Sequence, residues 1–516
     1  MSSLPSFLAA ASGPRGPSHD QRAACRSALA GAVALAVALG VGRFAFTPLL
    51  PLMLAGGELD IRHGGWLASA NYAGYFVGAM TCARIAVDPA RMVRAGLAAT
   101  VLLTFAMGLA SPFWVWALVR FVGGAVSAWT FVFASQWGLR RVVEHGAPAW
   151  GGVIYTGPGI GIVATGLIGF ALAGRHAALG WIGFAAASAV LTAFVWRAFG
   201  AAGAGTDGGQ SRGGAKRAGD GVSVADAAGR AGERLAAGAA EGAEGAEAVA
   251  DAVSAANVAD TADTANTANT ANTANTANTA NTANTADTAD TADTADTADT
   301  ADAGQHGAMA APAARAPHVE SAAARRDAFW LVLLYGLPGF GYIITATFLP
   351  VIARAALPAH SRWPDLFWPM FGAALIAGAL LGARLPSGWD NRLLLGACCA
   401  VQALGVALGI VWPTAPGFAL GSALVGLPFT AITLFAMREA RRLRGERAAG
   451  LMGYATASYG VGQIAGPLAA APLAAHAGSF SPALWLAATM LAVGAAGFAA
   501  VALRAWRAKT RGGGVG

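Results

Sequence analysis

A chain of 516 residues with 56% hydrophobic and only 12% charged residues is not an ordinary soluble protein, in which about a quarter of residues are charged. The net charge of +7 does not indicate nucleic acid: the basic residues stand at the ends of apolar spans rather than in patches with aromatics, and all but Lys216 and Lys509 are Arg. Four cysteines form no framework, and no Cys-x-x-Cys or His/Cys cluster suggests a metal or cofactor.

A bilayer core takes about 20 apolar residues per helix. After a tail over 1–26, carrying Arg15, Arg22 and Arg26, such spans fall at 27–53, 64–86, 93–111, 113–138, 150–173 and 178–199. The basic tail and first span resemble a signal peptide, but the apolar run exceeds an h-region of about 7–15 residues and is expected to stay in the mature chain. Composition then changes over 200–327. From Thr261 to Asp302 the chain is an unbroken series of Thr-Ala-Asp or Thr-Ala-Asn triplets. With no aromatic or branched aliphatic residue it cannot bury enough surface to offset its conformational entropy, so a disordered linker is expected. The alanine-rich stretch from Ala225 to Ala250 forms at most a transient helix. Six further spans lie at 328–353, 364–385, 393–412, 417–437, 449–473 and 482–503, before a tail over 504–516.

The connections alternate in basic charge. The N-terminal tail, Arg84/Arg91/Arg94, Arg140/Arg141, the central segment, Arg384/Arg392, the run Arg438 to Arg447 and the C-terminal tail are basic; the intervening loops carry little. Positive charge stays cytoplasmic, which places both termini and the central segment there. The loop holding Arg354 and Arg362 is the exception.

The chain also repeats itself. Val77-Gly78 through Arg84, then Asp88 and Arg91, is echoed by Ala377-Gly378 through Arg384, then Asp390 and Arg392. Upstream, Gly42-Arg43 running through Thr47 to Leu50-Pro51 is echoed by Gly341-Tyr342 running through Ala346 to Leu349-Pro350. Two halves alike and in the same order mean a duplicated membrane domain, whose site is expected near the midplane between halves.

Two arginines, Arg43 and Arg120, stand inside spans, where charge at the helix centre costs about 2.5–3.5 kcal/mol on insertion scales. No Asp or Glu lies well inside a span: Asp60, Asp88, Glu144, Asp327, Asp365, Asp390 and Glu439 sit at ends or in loops. Either the arginines snorkel or bond helix carbonyls, or an anionic substrate, most simply a carboxylate gripped by the planar guanidinium, completes them. The same absence argues against proton coupling through an embedded carboxylate. Other polar groups could share the cavity: Asn71 and Tyr75 at i, i+4; Tyr335, Tyr342 and Thr345 on the seventh span; Tyr459 and Gln463 on the eleventh. Ala70, Gly74 and Gly78 form a small-residue stripe suited to close packing. Gly157-Pro158-Gly159-Ile160-Gly161 and Gly466-Pro467 are expected to break the fifth and eleventh spans and to serve as kinks or hinges. No phosphate loop, triad or metal motif supports an enzyme.

Arg120-Phe121-Val122-Gly123-Gly124 resembles the fourth-helix Arg-x-x-Gln-Gly motif of the major facilitator superfamily (MFS), with Gly123 in place of Gln. Gly157-Pro158-x-x-Gly161 resembles that superfamily's fifth-helix motif, often found in exporters. The loop after Gly78 resembles its Gly-x-x-x-Asp-Arg motif, but Cys82 replaces the acid, which puts the usual charge relay in doubt unless Asp88 substitutes. Gly42-Arg43-Phe44-Ala45-Phe46-Thr47-Pro48-Leu49-Leu50-Pro51 is similar to the first-helix signature of YbfB/YjiJ-type bacterial transporters. The resemblance implies an all-α membrane protein of twelve transmembrane helices in two parallel six-helix halves. It further implies alternating access in a bacterial inner membrane, with helices one, four, seven and ten, and so Arg43, Arg120 and Tyr342, lining the cavity. Gly78, Arg84, Asp88, Arg91, Gly157, Pro158, Gly161, Gly378, Arg384, Asp390, Gly466 and Pro467 are the expected conformational residues. The expected function is secondary transport of a small solute, an organic anion, by a monomer in the lipid bilayer, with a proton or an exchanged anion as coupling ion. The alternatives are efflux of neutral or cationic compounds and a non-transporting sensor or scaffold. Deletion of 210–315 is expected to leave transport intact.

Overall fold

In lipid every backbone N–H and C=O must find its partner within the protein, so apolar runs of this length become helices. The structure, a computed structural model, describes residues 19–200 and 322–512, apart from 86, 148–149, 383–384, 387 and 446–447. The triplet repeat, the alanine-rich stretch and Arg384 lie outside the described residues.

Twelve helical crossings are present among the described residues. The first half holds α1 (His19–Leu35, a π-helical turn Ala36–Val41, then Phe46–Ala55), α2 (Ile61–Thr81), α3 (Pro89–Leu109), α4 (Phe113–Glu144), α5 (Gly151–Ile154, then Gly157–Ala171) and α6 (Ala177–Trp196). The second holds α7 (Ala322–Ala356), α8 (Phe367–Gly382), α9 (Asn391–Val411), α10 (Ala415–Gly426, then Phe429–Arg444), α11 (Ala448–Ala477) and α12 (Ser481–Gly512). Ten crossings are long and apolar enough to span a membrane on composition alone; α2 and α11 fall short in hydropathy. These two pack on each other between the halves, and their Ser69, Asn71, Tyr72 and Gln463 are buried against protein.

Several helices overrun the apolar spans: α4 continues to Glu144 rather than 138, and α12 continues to Gly512 where a tail was expected from 504. Hydropathy ends at the membrane surface, whereas a helix satisfies its own backbone beyond it. The fifth span is interrupted before Gly157, with Pro158 in the first turn of the new segment, where its missing N–H is harmless. The expected break at Gly466-Pro467 is not there. α11 runs unbroken through Pro467, a defect membrane helices tolerate where neighbours pack closely. Gly466 provides that packing, since a Cβ there would lie 2.4 Å from Ile343 Cγ2 of α7.

The duplication is visible in the packing. A Cβ on Gly78 would lie 2.6 Å from the Ala125 carbonyl oxygen, and one on Gly378 would lie 1.7 Å from that of Leu427. Likewise Gly124 seats on the Asn71 carbonyl and Gly426 on that of Phe371. The α2–α4 and α8–α10 crossings are therefore built alike, and Ser422 occupies the repeat position of Arg120.

Three apolar cores divide the molecule. One is shared by both halves and gathers Phe46, Leu49, Trp181, Phe348, Trp368 and Leu484, at the end away from the chain termini. The other two belong to one half each and lie at the terminal end, around Phe435 and Phe498 in the second half and Phe133 and Trp137 in the first. Hydrogen bonds between halves follow the same division. Thr47 Oγ1 donates to the Ala346 carbonyl at 2.9 Å, so two repeat-equivalent positions meet across the axis between halves. Tyr72 Oη and Thr347 Oγ1 lie 3.1 Å apart, and Arg362 Nη2 donates to the Phe170 carbonyl at 2.7 Å. The halves are joined at the far end and carry separate cores at the terminal end.

Candidate functional site

Arg43 sits in the turn after the π-helical segment of α1, at the inner edge of the shared core. It is 5% exposed. Nη2 donates to Gln463 Oε1 of α11 at 2.8 Å, and Gln463 Nε2 in turn donates to Tyr342 Oη of α7. The guanidinium carbon lies 4.1 Å from the Tyr75 ring centroid, 5.1 Å from Tyr72 and 5.3 Å from Phe44. Each such cation–π contact contributes about 0.5–2 kcal/mol when desolvated, which offsets part of the several kcal/mol that burying a lone cation costs. Nε is buried without a partner. Among the described residues no carboxylate forms an ion pair with Arg43.

From this point a ladder of rings runs towards the terminal end. Tyr342 stacks on Tyr459 (centroids 5.9 Å apart, 19° between planes), and Tyr459 stacks on Tyr335 (4.8 Å, 29°). Tyr335 Oη donates to Thr433 Oγ1. The structure thus gathers Arg43, Tyr75, Tyr342, Gln463, Tyr459 and Tyr335 from both halves into one contiguous set.

Three expected site residues are not part of it. Arg120 is buried, but its guanidinium donates to the carbonyls of Leu67, Gly42 and Arg43, at 3.5, 3.4 and 3.3 Å, and packs over Phe46. The irregular turn in α1 leaves the Gly42 and Arg43 carbonyls without regular helical partners, and Arg120 supplies the donors. Asn71 shares a helix stripe with Tyr75, yet its amide turns to α4 and donates to the Arg120 carbonyl at 2.9 Å. Thr345 lies three residues after Tyr342, which rotates it away from the axis, and it lines a crevice inside the second half with Leu349, Gly405, Phe418 and Ser422.

Of the conformational residues, Gly157 and Gly161 close α5 onto α1: Cβ atoms there would lie 2.2 Å from the Ala32 carbonyl oxygen and 2.6 Å from Gly40 Cα. Arg84 ends a short 3-10 turn and is exposed. Asp88 caps α3 by accepting the Arg91 N–H at 3.0 Å and makes no ion pair with the Arg91 side chain. In the second half the corresponding loop carries a charge network. Asp390 caps α9 and holds Arg392 at 2.7 Å, and Arg392 also reaches Asp327 at 3.4 Å and Glu439 at 3.7 Å. Glu439, almost fully buried, binds Arg442 at 2.6 Å. Burial opposes ionisation of Asp390, but the Arg392 hydrogen bonds outweigh it and hold the carboxyl below its ordinary value.

Sequence reasoning missed Tyr72, Phe44 and Ser69. Tyr72 both supports Arg43 and reaches Thr347, and Ser69 Oγ donates to the Ile464 carbonyl at 2.8 Å. The signal was there: Gly65, Ser69, Tyr72 and Phe76 recur at helical spacing on one face of α2, and each meets the second half.

Comparison with known proteins supports the same architecture. The family model described as "Uncharacterised MFS-type transporter YbfB" matches residues 35–218 and 301–498. Among solved structures, a mutant form of the nucleoside transporter NupG superposes with a TM-score of 0.55 at 13% identity, covering 92% of this chain and 99% of that one. No curated protein sequence matches the chain.

Proposed function

Since the chain belongs to the YbfB-type family of MFS transporters, a multi-pass membrane protein of a secondary-transport fold, we propose that its cargo is a small organic anion bound at Arg43. The observation that carries this reading is a buried guanidinium, placed where the halves meet, with Nε unpartnered and no ion pair to a carboxylate among the described residues. A carboxylate there gains a charge-assisted, two-pronged hydrogen bond in a dry setting. Gln463, Tyr75 and the tyrosine ladder supply the remaining contacts.

With the arginine-rich ends taken as cytoplasmic, in the inner membrane of a bacterium, the shared core and the Thr47 and Tyr72 bonds support a carrier closed on its outward side. Alternating access then moves the shared core's contacts from the far end to the terminal end, as expected of two rocking repeats. An exchanged anion fits the site better than a proton, since no acid borders Arg43 among the described residues. A neutral planar solute is the second reading, favoured by the stacked Tyr335, Tyr459 and Tyr342; the nucleoside transporter of like fold belongs to that class by name.

The test is the thermal stability of the detergent-purified protein with acetate, benzoate, succinate or uridine. Carboxylates are expected to stabilise the wild type and to do nothing for Arg43→Gln. Stabilisation by uridine alone, retained in Arg43→Gln, would overturn the anion reading in favour of the neutral one.

A further inference from the structure

Gln463 is placed to do more than line the site. Its side chain belongs to the second half, yet its carbonyl oxygen accepts a hydrogen bond from Arg43 Nη2 of the first half, at 2.8 Å. That amide oxygen has the position and lone pairs of one carboxylate oxygen without the charge. Its amide nitrogen is anchored on Tyr342 Oη, and Tyr342 is held between Tyr459 and Phe429. The oxygen is therefore presented to Arg43 by a rigid backing.

We propose that Gln463 is a stand-in acceptor that the substrate's carboxylate displaces, and that this displacement couples binding to movement of the halves. The proposal rests on the anion reading of Arg43. In the unloaded protein the Arg43–Gln463 bond ties α1 to α11 across the axis. A carboxylate that takes both Nε and Nη2 of Arg43 sets a charged acceptor beside the Gln463 oxygen on the same nitrogen, and repulsion between the two oxygens drives the neutral one off. One cross-axis bond is then lost as substrate binds, beside Thr47–Ala346 and Tyr72–Thr347, which hold the far end shut. Occupancy of the site and release of the halves become one event. A neutral amide suits this role: it satisfies the arginine in the empty state but is outcompeted by a full negative charge.

Three variants separate the possibilities, assayed for benzoate and succinate binding by calorimetry and for exchange in proteoliposomes. Gln463→Ala removes the competitor, so affinity is expected to rise about tenfold, the equivalent of roughly 1.4 kcal/mol at the low end for a hydrogen bond to a charged group, while exchange slows. Gln463→Glu supplies a permanent partner, so binding is expected to vanish as it does in Arg43→Gln. Weaker or unchanged binding in Gln463→Ala, with binding abolished in Arg43→Gln, would refute the displacement while leaving the anion site intact. Undiminished binding in Arg43→Gln, or no binding of either acid to the wild type, removes the anion reading and this proposal with it.

Discussion

Gly378 offers the sharpest test of the packing, because an adjacent glycine on the same helix serves as its control. A Cβ at Gly378 would lie 1.7 Å from the Leu427 carbonyl oxygen, whereas one at Gly382 would meet Ala431 Cβ at 3.4 Å, an ordinary contact. Carbon and oxygen approach to about 3.3 Å, so Gly378→Ala must part α8 from α10 by roughly 1.5 Å. Overpacking of that kind costs about 1–3 kcal/mol, and the gain in helix propensity returns at most about 1 kcal/mol. Gly382→Ala receives the propensity gain alone. Gly78→Ala, with its Cβ 2.6 Å from the Ala125 carbonyl oxygen, falls between the two. The assay is the temperature at which half of each detergent-purified variant leaves the monodisperse peak on gel filtration. The expected order of stability is Gly382→Ala, then Gly78→Ala, then Gly378→Ala. If Gly378→Ala survives heating as well as Gly382→Ala, the helices are not in backbone contact there and the duplicated crossing has been misread.

The two buried arginines are expected to separate cleanly: Arg120→Gln strips the Gly42 and Arg43 carbonyls of their donor and destabilises by about 2–4 kcal/mol, whereas Arg43→Gln removes a lone buried charge and leaves thermal stability equal or higher. Equal losses in both would mean that Arg43, too, is a structural arginine. Gly65→Val drives a side chain into Ala471 and the Pro467 carbonyl, whose atoms would lie 2.5 and 2.8 Å from a Cβ; far-end closure is blocked, and maleimide labelling of Ala346→Cys in a background without the native cysteines is expected to rise. Asp390→Asn destabilises at neutral pH and Asp88→Asn does not, because Asn caps a helix as well as Asp but cannot replace the Arg392 ion pair. Since the Asp390 carboxyl is held below its ordinary value, its contribution is present above the carboxylate range, near about pH 4, and is lost as pH falls through it. The gap between wild type and Asp390→Asn in a melting series is therefore expected to close in acid, and a gap that persists there would show the effect is not ionic.

How far the sequence reveals this molecule depends on which physical property is asked of it. The crossings are legible because lipid imposes one rule on every span, and the duplication is legible because Gly78 and Gly378 meet the same backbone demand in each half. Arg43 is legible as a cation without a partner. The roles of Arg120, Asn71 and Thr345 are not, because helical spacing tells which residues share a stripe but not which neighbour that stripe faces. The break in α1 decides the fate of Arg120, and nothing in Ala36-Val37-Ala38-Leu39-Gly40-Val41 announces a π-helical turn by composition. The unbroken passage of α11 through Pro467 was hidden for a related reason, since it depends on how closely Gly466 lets α7 approach. Loop charge likewise conceals purpose. Arg354 and Arg362 run against the topology pattern, and the structure occupies them in an ion pair with Asp365 and in a bond to the end of α5.

The two halves have diverged in a way that assigns them different tasks. At the equivalent positions the first half has Arg43 and Arg120, and the second has Tyr342 and Ser422. α1 is interrupted where Arg43 sits, and Arg120 bonds the carbonyls that the interruption leaves. α7 runs unbroken, and Ser422 bonds only its own helix, at the Phe418 carbonyl. A break in a membrane helix persists only where a donor meets its carbonyls, so the break and Arg120 form one device with Arg43 as its working end. Among the described residues the second half contributes no charge at the site, but supplies Gln463 and stacked rings. Charge concentrated on one side of the axis and neutral acceptors on the other make a link that an anion can replace, whereas two charged sides would have formed an ion pair that it could not.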